Sequence, residues 1–340
     1  MYKNLIAAFA TAGALIGAPV MGQPRPGPTP TDLPDTRRGA VERLATDLED
    51  DYTIPSIGKL YAAALRAHLV QGDYEKPADA AALAMQLTAD LQAVHPDRHI
   101  RVTLAGGGPP GSSRAVGPGT AVLKGVEESR WIEPGIAYIR FSVFSGSPEE
   151  VAEVKAFMEE HASAKAIIID ARGHHGGGLA EMNVMLPYLY SKKTVLVDMD
   201  LSKAVAARMG DPLEGDGLIK IKGPAGIIRR EHTVTPSATE HRLFKAKVFY
   251  LTSVRTGSAA EHLALAFKRT HRAVLVGEHT AGANHFGGDQ PLGAGLSAFI
   301  PVGRTFDPDT GEDWEGRGIL PDVAVPADDA LDVAVKLARA

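Results

Sequence analysis

The chain has 340 residues, a formal net charge of −5 at pH 7 and no cysteine. This length fits one large domain or two smaller ones. The small negative charge and the lack of a basic stripe argue against nucleic acid as the main partner. The lack of cysteine excludes disulfides, thiolate catalysis and thiolate metal sites.

Residues 1–22 have the layout of a secretory signal peptide. One positive charge, on Lys3, precedes a small apolar run over residues 5–20, and residues of small or modest size lead up to Gly22. An uncleaved membrane anchor is the alternative, but the run is short for a span and is interrupted by glycine and proline. We therefore expect a periplasmic or secreted protein, cleaved near Gly22, that is not an integral membrane protein.

Residues 23–34 are rich in proline and predict an extended linker. Residues 35–104 predict a small helical domain, with helices near 36–50 and 57–71 and a third that starts at Pro77, a residue favoured at the first helical position. A short strand follows at residues 101–104. Residues 105–120 are rich in glycine, proline and serine, and predict a second linker.

From residue 121 to 340 the pattern changes to strands that alternate with helices, which is typical of an α/β domain. The predicted strands are 121–126, 135–141, 166–170, 194–198, 247–251 and 273–277. The predicted helices are 148–162, 178–190, 258–269 and 328–337. Residues 199–231 fit this alternation less well and are interpreted as a hairpin excursion.

Ser258 lies at the junction between a predicted strand, a short turn and a predicted helix. A serine at such a junction can cap the helix by accepting a backbone hydrogen bond. It can also act as a nucleophile, because the free N–H groups of the first helical turn favour developing negative charge. Both roles are compatible with the local sequence.

Two further apolar strands end in glycine-rich turns, at residues 170–178 and 277–282. Open α/β sheets place their sites at such strand ends. The first turn has no Lys-Ser/Thr pair and no full dinucleotide fingerprint, so it is neither a P-loop nor a clear dinucleotide site. Glycine there either satisfies a tight turn or lets backbone N–H groups approach a reacting carbonyl.

Four segments in this order carry a specific resemblance: residues 170–178, 247–261, 277–282 and 314–322, together with the Asp97-Arg-His99 element. This set resembles the C-terminal-processing (tail-specific) serine peptidase family. It is most similar to the branch that contains interphotoreceptor retinoid-binding protein and the tricorn-type peptidases. The resemblance implies a crotonase/ClpP-like α/β core preceded by the helical domain. The linker at 105–120 leaves no room for the PDZ domain that many members insert.

A serine hydroxyl needs an adjacent base to act as a nucleophile. In the processing proteases this base is a lysine, but the matching position here is Ala283, and Lys268 is expected to point away from the serine. The tricorn-like branch uses a histidine and a glutamate, which map onto His99 and Glu315. His95 remains the local alternative to His99, and a serine that adjoins the tricorn-type histidine is replaced by Arg98.

By the same resemblance, the oxyanion hole is formed by the N–H of Ala259 and by that of Gly176 or Gly177. Glu261 is expected to cap or orient the nucleophile helix. Asp170 and Arg172 are expected to shape their turn. Four histidines near the strand ends are further candidates to line the cleft, and a metal site among them lacks an identified third ligand: His174, His175, His279 and His285. No cofactor is expected.

The resemblance thus implies a secreted serine-type peptidase that binds peptides or unfolded protein segments in an extended conformation. A binding protein for an apolar, retinoid- or lipid-like ligand is the alternative, because relatives with this fold bind such ligands and fold does not fix function. A crotonase-like acyl-CoA enzyme fits poorly with export. Retention of Ser258 together with His99 and Glu315 favours the peptidase.

Overall fold

The computed structural model describes residues 36–106, 124–211, 213–215 and 217–340. The predicted signal peptide, the proline-rich linker and nearly all of the second linker lie outside the described residues. No helix in the described ranges is both long and apolar enough to cross a membrane.

Three helices begin the described chain, as predicted, and their ends follow local capping rules. They are α1 (Arg37–Asp51), α2 (Pro55–Gln71) and α3 (Ala80–Val94). The Thr36 side chain accepts a hydrogen bond from the N–H of the third residue of α1, and Gly72 ends α2 with a φ of 74°. The third helix begins three residues later than predicted, because the Asp79 side chain caps it rather than Pro77 starting it.

The remaining elements confirm the alternation of strands and helices, but the predicted strand at 121–126 lies partly outside the described residues and a strand begins only at residue 126. In chain order the remaining elements are β1 (Arg101–Leu104), β2 (Val126–Glu133), β3 (Ile136–Phe141), α4 (Pro148–Glu160), β4 (Ala166–Asp170), α5 (Ala180–Leu189), β5 (Thr194–Ser202), α6 (Lys203–Met209), β6 (Leu218–Ile221), β7 (Ile227–Val234), β8 (Lys247–Thr252), α7 (Ala259–Arg269), β9 (Val274–Gly277), β10 (Phe286–Gly293), β11 (Leu296–Phe306), β12 (Val323–Ala324) and α8 (Ala330–Arg339).

One sheet carries the predicted strand ends. Its order is β12-β9-β8-β4-β3-β2, and all neighbours are parallel except the β2–β3 pair. Helices α4, α5 and α7 contribute buried residues to the core on one face of the sheet, and α8 contributes to the core on the other. Because β4, β8 and β9 are parallel neighbours, the turns that follow them meet at one edge.

A second, antiparallel sheet has the order β1-β11-β5-β7-β6. Strand β10 also pairs with β11, on the edge opposite to β1. The predicted hairpin excursion is present as β6 and β7. Helices α1, α2 and α3 share one hydrophobic core with this sheet, which includes Leu44, Leu87, Ala298 and Ile300. The N-terminal helices are therefore packed on strands that come from the far end of the chain.

Candidate active site

Ser258 lies where β8 gives way to α7 and has a strained backbone. Its φ of 54° and ψ of −120° place it in a region that non-glycine residues rarely adopt, at a cost of about 1–3 kcal/mol. The N–H of Ser258 donates to Glu261 Oε2 (2.9 Å), and its carbonyl accepts from the N–H of Glu261 and His262. The surrounding hydrogen bonds thus hold Ser258 in this conformation.

Glu261 fixes the start of α7 to the turn that follows β9. Its buried carboxylate accepts from the N–H of Gly282 (2.7 Å) and Ala283 (2.8 Å), and from the Thr280 hydroxyl (2.5 Å), in addition to Ser258. Burial raises the pKa of Glu261, and these hydrogen bonds oppose that effect. The expectation that Glu261 orients the nucleophile helix is confirmed.

The glycine-rich turn after β4 lies directly over Ser258. A Cβ at Gly176, whose φ is 113°, would lie 2.7 Å from the Ser258 Cβ. A Cβ at Gly177, whose φ is 119°, would collide with the backbone of Phe144. Thr256 Oγ1 donates to the Ala171 carbonyl (2.8 Å), which joins the two turns. Glycine is therefore required at both positions for the turn to approach the serine so closely.

The two glycines predicted for the oxyanion hole differ in whether their backbone N–H groups are already hydrogen-bonded. The Gly176 N–H donates to His174 Nδ1 (3.1 Å), so it is already engaged. Gly177 and Ala259 line the cleft together with Ser258, and neither N–H makes a hydrogen bond within the described ranges. The amides that remain for a ligand beside the serine are those of Ala259 and Gly177.

His99 is half-buried, and its ring stacks on Phe299 with 5.6 Å between the centroids. Burial lowers the pKa of His99 to about 4, so its imidazole is neutral at pH 7. The ring nitrogen Nδ1 is buried without a partner, while the backbone N–H of His99 donates to Asp97 Oδ1 (2.8 Å). Among the described residues, no hydrogen bond or ring contact joins His99 to Ser258.

Glu315 brings the predicted histidine segment to the edge of the cleft through backbone hydrogen bonds. Its Oε1 accepts from the N–H of Arg98 (3.0 Å), and its Oε2 accepts from the N–H of Asn284 (2.6 Å) and His285 (3.2 Å). Asn284 lines the cleft with Ser258. Through Glu261, which accepts from the N–H groups of Ser258 and Ala283, backbone hydrogen bonds connect the Ser258 segment to Glu315 and so to the segment of His99.

A buried ion-pair cluster joins the two parts of the chain behind this edge. His285 Nδ1 lies 2.7 Å from Asp97 Oδ2 and 3.8 Å from Glu315 Oε2, and the Tyr52 hydroxyl donates to the same Asp97 oxygen. Burial lowers the pKa of His285, but the two carboxylates outweigh it and the net shift is upward. Burial alone would raise the pKa of Asp97, yet its hydrogen bonds bring it to about 2.

This cluster was missed from the sequence, because Asp97 and His285 are 188 positions apart and no local pattern links them. The ligand atoms of Asp97, His285 and Glu315 lie within 4.8 Å of one another, close enough for a metal ion. However, both carboxylates already accept hydrogen bonds from N–H or O–H donors, which an ion would displace. The geometry therefore fits an ion pair better than a metal site.

The other histidine candidates have separate surroundings. His95 ends α3 and is half-buried, and its carbonyl accepts from Tyr61. His174 is fully buried, whereas the side chains of His175 and His279 are exposed, and none of the three lines the cleft.

Lys268 and the turn-shaping pair lie as predicted. Lys268 Nζ donates to the Leu320 carbonyl (2.8 Å) and pairs with Asp322 (2.9 Å), so it serves no role at Ser258. Asp170 accepts from the Arg172 side chain in its own turn, as expected of a shaping pair.

The cleft beside Ser258 has a volume of about 1270 Å³. Its lining is largely apolar and includes Leu179, Val184, Leu213 and Trp314. A cleft of this size accommodates several residues of an extended peptide or a drug-sized ligand.

Comparison with known proteins identifies the family of the chain. The sequence profile of peptidase family S41 matches residues 135–325, which is more than half of the chain. The profile of the N-terminal domain of peptidase S41 in eukaryotic IRBP matches residues 32–118.

Solved structures share the fold at low sequence identity. A candidate peptidase from Parabacteroides merdae has a TM-score of 0.62 and 15% identity, covering 90% of this chain and 98% of that chain. The photosystem II D1 C-terminal processing protease has a TM-score of 0.52 and 15% identity, covering 87% and 94%. The tricorn protease has a TM-score of 0.52 and 14% identity, covering 89% of this chain and 37% of that chain. The predicted α/β core with its preceding helical region is confirmed.

Proposed function

Because the chain belongs to peptidase family S41 and is therefore a serine-type peptidase, we propose that it cleaves peptides or unfolded protein segments through an acyl-enzyme on Ser258. The observation that carries this proposal is the strained Ser258 between two unoccupied amides, those of Ala259 and Gly177. A merely structural serine would not require this backbone conformation.

In the proposed mechanism, Ser258 Oγ attacks the substrate carbonyl carbon and His99 Nε2 takes the hydroxyl proton. The N–H groups of Ala259 and Gly177 donate to the oxyanion of the tetrahedral intermediate. The protonated histidine then gives its proton to the leaving amine, and an acyl-enzyme remains. Water, deprotonated by the same histidine, releases the acyl group and regenerates the serine.

His99 reaches the hydroxyl when substrate completes the site, since catalytic hydrogen bonds are often long in the free enzyme. Burial keeps the imidazole neutral at pH 7, as a proton acceptor must be, although a pKa of about 4 also makes it a weak base. We assign Glu315 the task of holding the backbone at Arg98, and with it the adjacent histidine, against the cleft edge. The carboxylate that favours the imidazolium formed on His99 after proton transfer is that of Asp97 rather than that of Glu315.

The substrate is expected to lie as an extended strand beside β10. Among the described strands, β10 pairs only with β11, so no described strand occupies its second edge. Phe286, Gly287 and Gly288 at the start of β10 also line the cleft that contains Ser258. The leader-like sequence of residues 1–22 supports action in the periplasm or outside the cell.

The second candidate is a binding protein for an apolar ligand. It is favoured by the volume and the largely apolar lining of the cleft. A binding role makes no use of Ser258 or of the two amides beside it.

Labelling with a fluorophosphonate probe separates the two functions. Wild-type protein should be labelled and should cleave an unfolded protein, whereas Ser258→Ala should lose labelling and at least about 10⁴-fold in kcat. His99→Ala should lose about 10²- to 10⁴-fold, and His95→Ala, the matched local control, should retain the wild-type rate. Unlabelled wild-type protein that binds a retinoid would favour the second candidate. Loss of activity in His95→Ala but not in His99→Ala would reassign the base.

A further inference from the structure

Two buried histidines and an asparagine form a hydrogen-bonded chain in the wall of the cleft. His262 Nε2 lies 2.7 Å from His232 Nδ1, and His232 Nε2 lies 2.8 Å from Asn183 Oδ1. The three residues come from α7, β7 and α5. His262 and Asn183 line the cleft with Ser258, whereas His232 lies behind them.

Both histidines are neutral near pH 7. His262 is 3% exposed and His232 is 1% exposed. Burial lowers the pKa of His232 to about 4 and that of His262 well below its ordinary value. These hydrogen-bonded side chains thus contribute hydrogen-bonding groups to the cleft but no charge.

The arrangement determines which ring nitrogen carries each proton. Asn183 Oδ1 can only accept, so His232 Nε2 carries a proton and His232 Nδ1 is left as an acceptor. His262 Nε2 must then donate to His232, which leaves His262 Nδ1 unprotonated. His262 therefore presents a lone pair, fixed by two residues behind it.

His262 Nδ1 has no partner within the described ranges. Because it is unprotonated it can only accept, so the Ser258 carbonyl four residues earlier cannot satisfy it. An acceptor beside the nucleophile is consequently left for a ligand.

The position of His262 relates this acceptor to the scissile bond. His262 lies in the first turn of α7, and its backbone N–H donates to the carbonyl of Ser258, the residue that precedes the helix (3.0 Å). Both residues line the cleft. The attacked carbonyl is held at the start of the same helix by the Ala259 amide. The side chain of the residue that supplies this carbonyl can therefore extend along the helix to His262.

Three charged residues of the described ranges line the cleft. Arg208 pairs with Asp51, Asp211 pairs with Arg230 (2.8 Å), and the side chain of Glu214 is exposed. A carboxylate would face the lone pair of a neutral ring, and an ammonium group would lose its hydration in a largely apolar cleft. An uncharged donor is the group that satisfies this acceptor at the least cost.

We propose that His262 is the specificity-determining residue of this peptidase and selects, on the acyl side of the scissile bond, a residue whose uncharged side chain donates an O–H or N–H hydrogen bond. His232 and Asn183 are positioning residues that fix the tautomer of His262. This inference rests on the proposed peptidase function of Ser258.

Isosteric peptide pairs test the proposal, because threonine and valine differ mainly by the hydroxyl. Peptides with threonine at this position should be cleaved about 10- to 100-fold faster in kcat/KM than those with valine, since valine leaves a buried acceptor unpaired. Cleavage sites should first be mapped by mass spectrometry on a peptide library. His262→Leu should bring the threonine-to-valine ratio to about one while valine peptides remain substrates.

A second variant covers the case in which His262→Leu does not fold. His232 lies behind the cleft, and in His232→Asn the tautomer of His262 is no longer fixed. The threonine-to-valine ratio should therefore fall at least about threefold while fluorophosphonate labelling persists. His241→Leu, at an exposed histidine, should leave the ratio unchanged.

Each outcome bears on one of the two proposals. The specificity inference is overturned if His262→Leu or His232→Asn is labelled and active but keeps the wild-type threonine-to-valine ratio. That result leaves the peptidase function intact. A wild-type preference for valine or for acidic residues does the same. Absence of both labelling and cleavage in the wild type overturns both proposals.

Discussion

Substitution of Gly176 by alanine should disable Ser258 while the fold persists. The new Cβ would lie 2.7 Å from the Ser258 Cβ, whereas carbon atoms pack at about 3.5–4.0 Å. The two backbones must therefore separate by about 1 Å. A displacement of this size at the nucleophile costs about 10²-fold in rate. The crowding contributes about 1–3 kcal/mol of destabilisation, and the φ of 113° about 1–3 kcal/mol more.

The assay is the rate of fluorophosphonate labelling, measured with the urea-unfolding free energy of the same preparation. Gly173→Ala, in the same turn and with open space around it, should be labelled at the wild-type rate. Gly72→Ala, with a φ of 74° and open space at the end of α2, should lose about 1 kcal/mol without a change in labelling. Labelling of Gly176→Ala within threefold of wild type would refute the close approach of this turn to Ser258.

Three further outcomes are expected. Because burial lowers the pKa of His99 to about 4, the acid limb of the pH profile of kcat/KM should lie near pH 4; a limb near 6.5 would contradict this base. Glu261→Gln replaces an acceptor for four donors with a group that also donates, and should cost about 1–3 kcal/mol in urea unfolding; wild-type stability would show that these bonds are dispensable. The pKa of His285 is raised in the folded state. Its pairing with Asp97 therefore makes its full contribution to the folding free energy below the unfolded pKa of about 6.5, and this contribution is lost as pH rises through the folded pKa. The difference in Tm between wild type and His285→Asn should therefore shrink from pH 6 to pH 9, and a constant difference would exclude a protonated His285.

The parallel strands and the nucleophile helix could be predicted because their signals are local. The run of residues 166–170 is continuously apolar up to Asp170, as expected of a strand covered on both faces, and it forms β4 with those bounds. The strand–turn–helix junction at Ser258 was predicted from the local sequence, whereas its assignment as the nucleophile came from the resemblance to the tail-specific peptidases. The strained φ of Ser258 could not be predicted, because it depends on Glu261 and on the turn that passes over it.

The hairpin of β10 and β11 was missed because β10 contains residues that are rare in strands. Gly287, Gly288, Pro291 and Gly293 indicate a loop by composition, and only pairing with β11 makes this segment a strand. Tertiary contacts override local preference here.

The histidine clusters were missed for a related reason. His262 continues the apolar pattern of α7, and His232 is one of many polar residues in its hairpin. Only the fold places them 2.7 Å apart. Sequence distance hides such pairs, since no short-range pattern reports on which strands and helices become neighbours.

The pairing of β1 with β11, in which Arg101 lies opposite Phe299, determines when activity can arise. The segment that carries His99 is synthesised in the first third of the chain, but it gains its sheet partner only after residue 296 has been made. Ser258 is already present by then, without the strand that fixes the proposed base. A nascent or truncated chain would therefore contain the proposed nucleophile without its base. It could cleave a substrate only after β1 had paired with β11. Unfolded or truncated copies of this enzyme would thus lack the assembled site that the proposed cleavage requires.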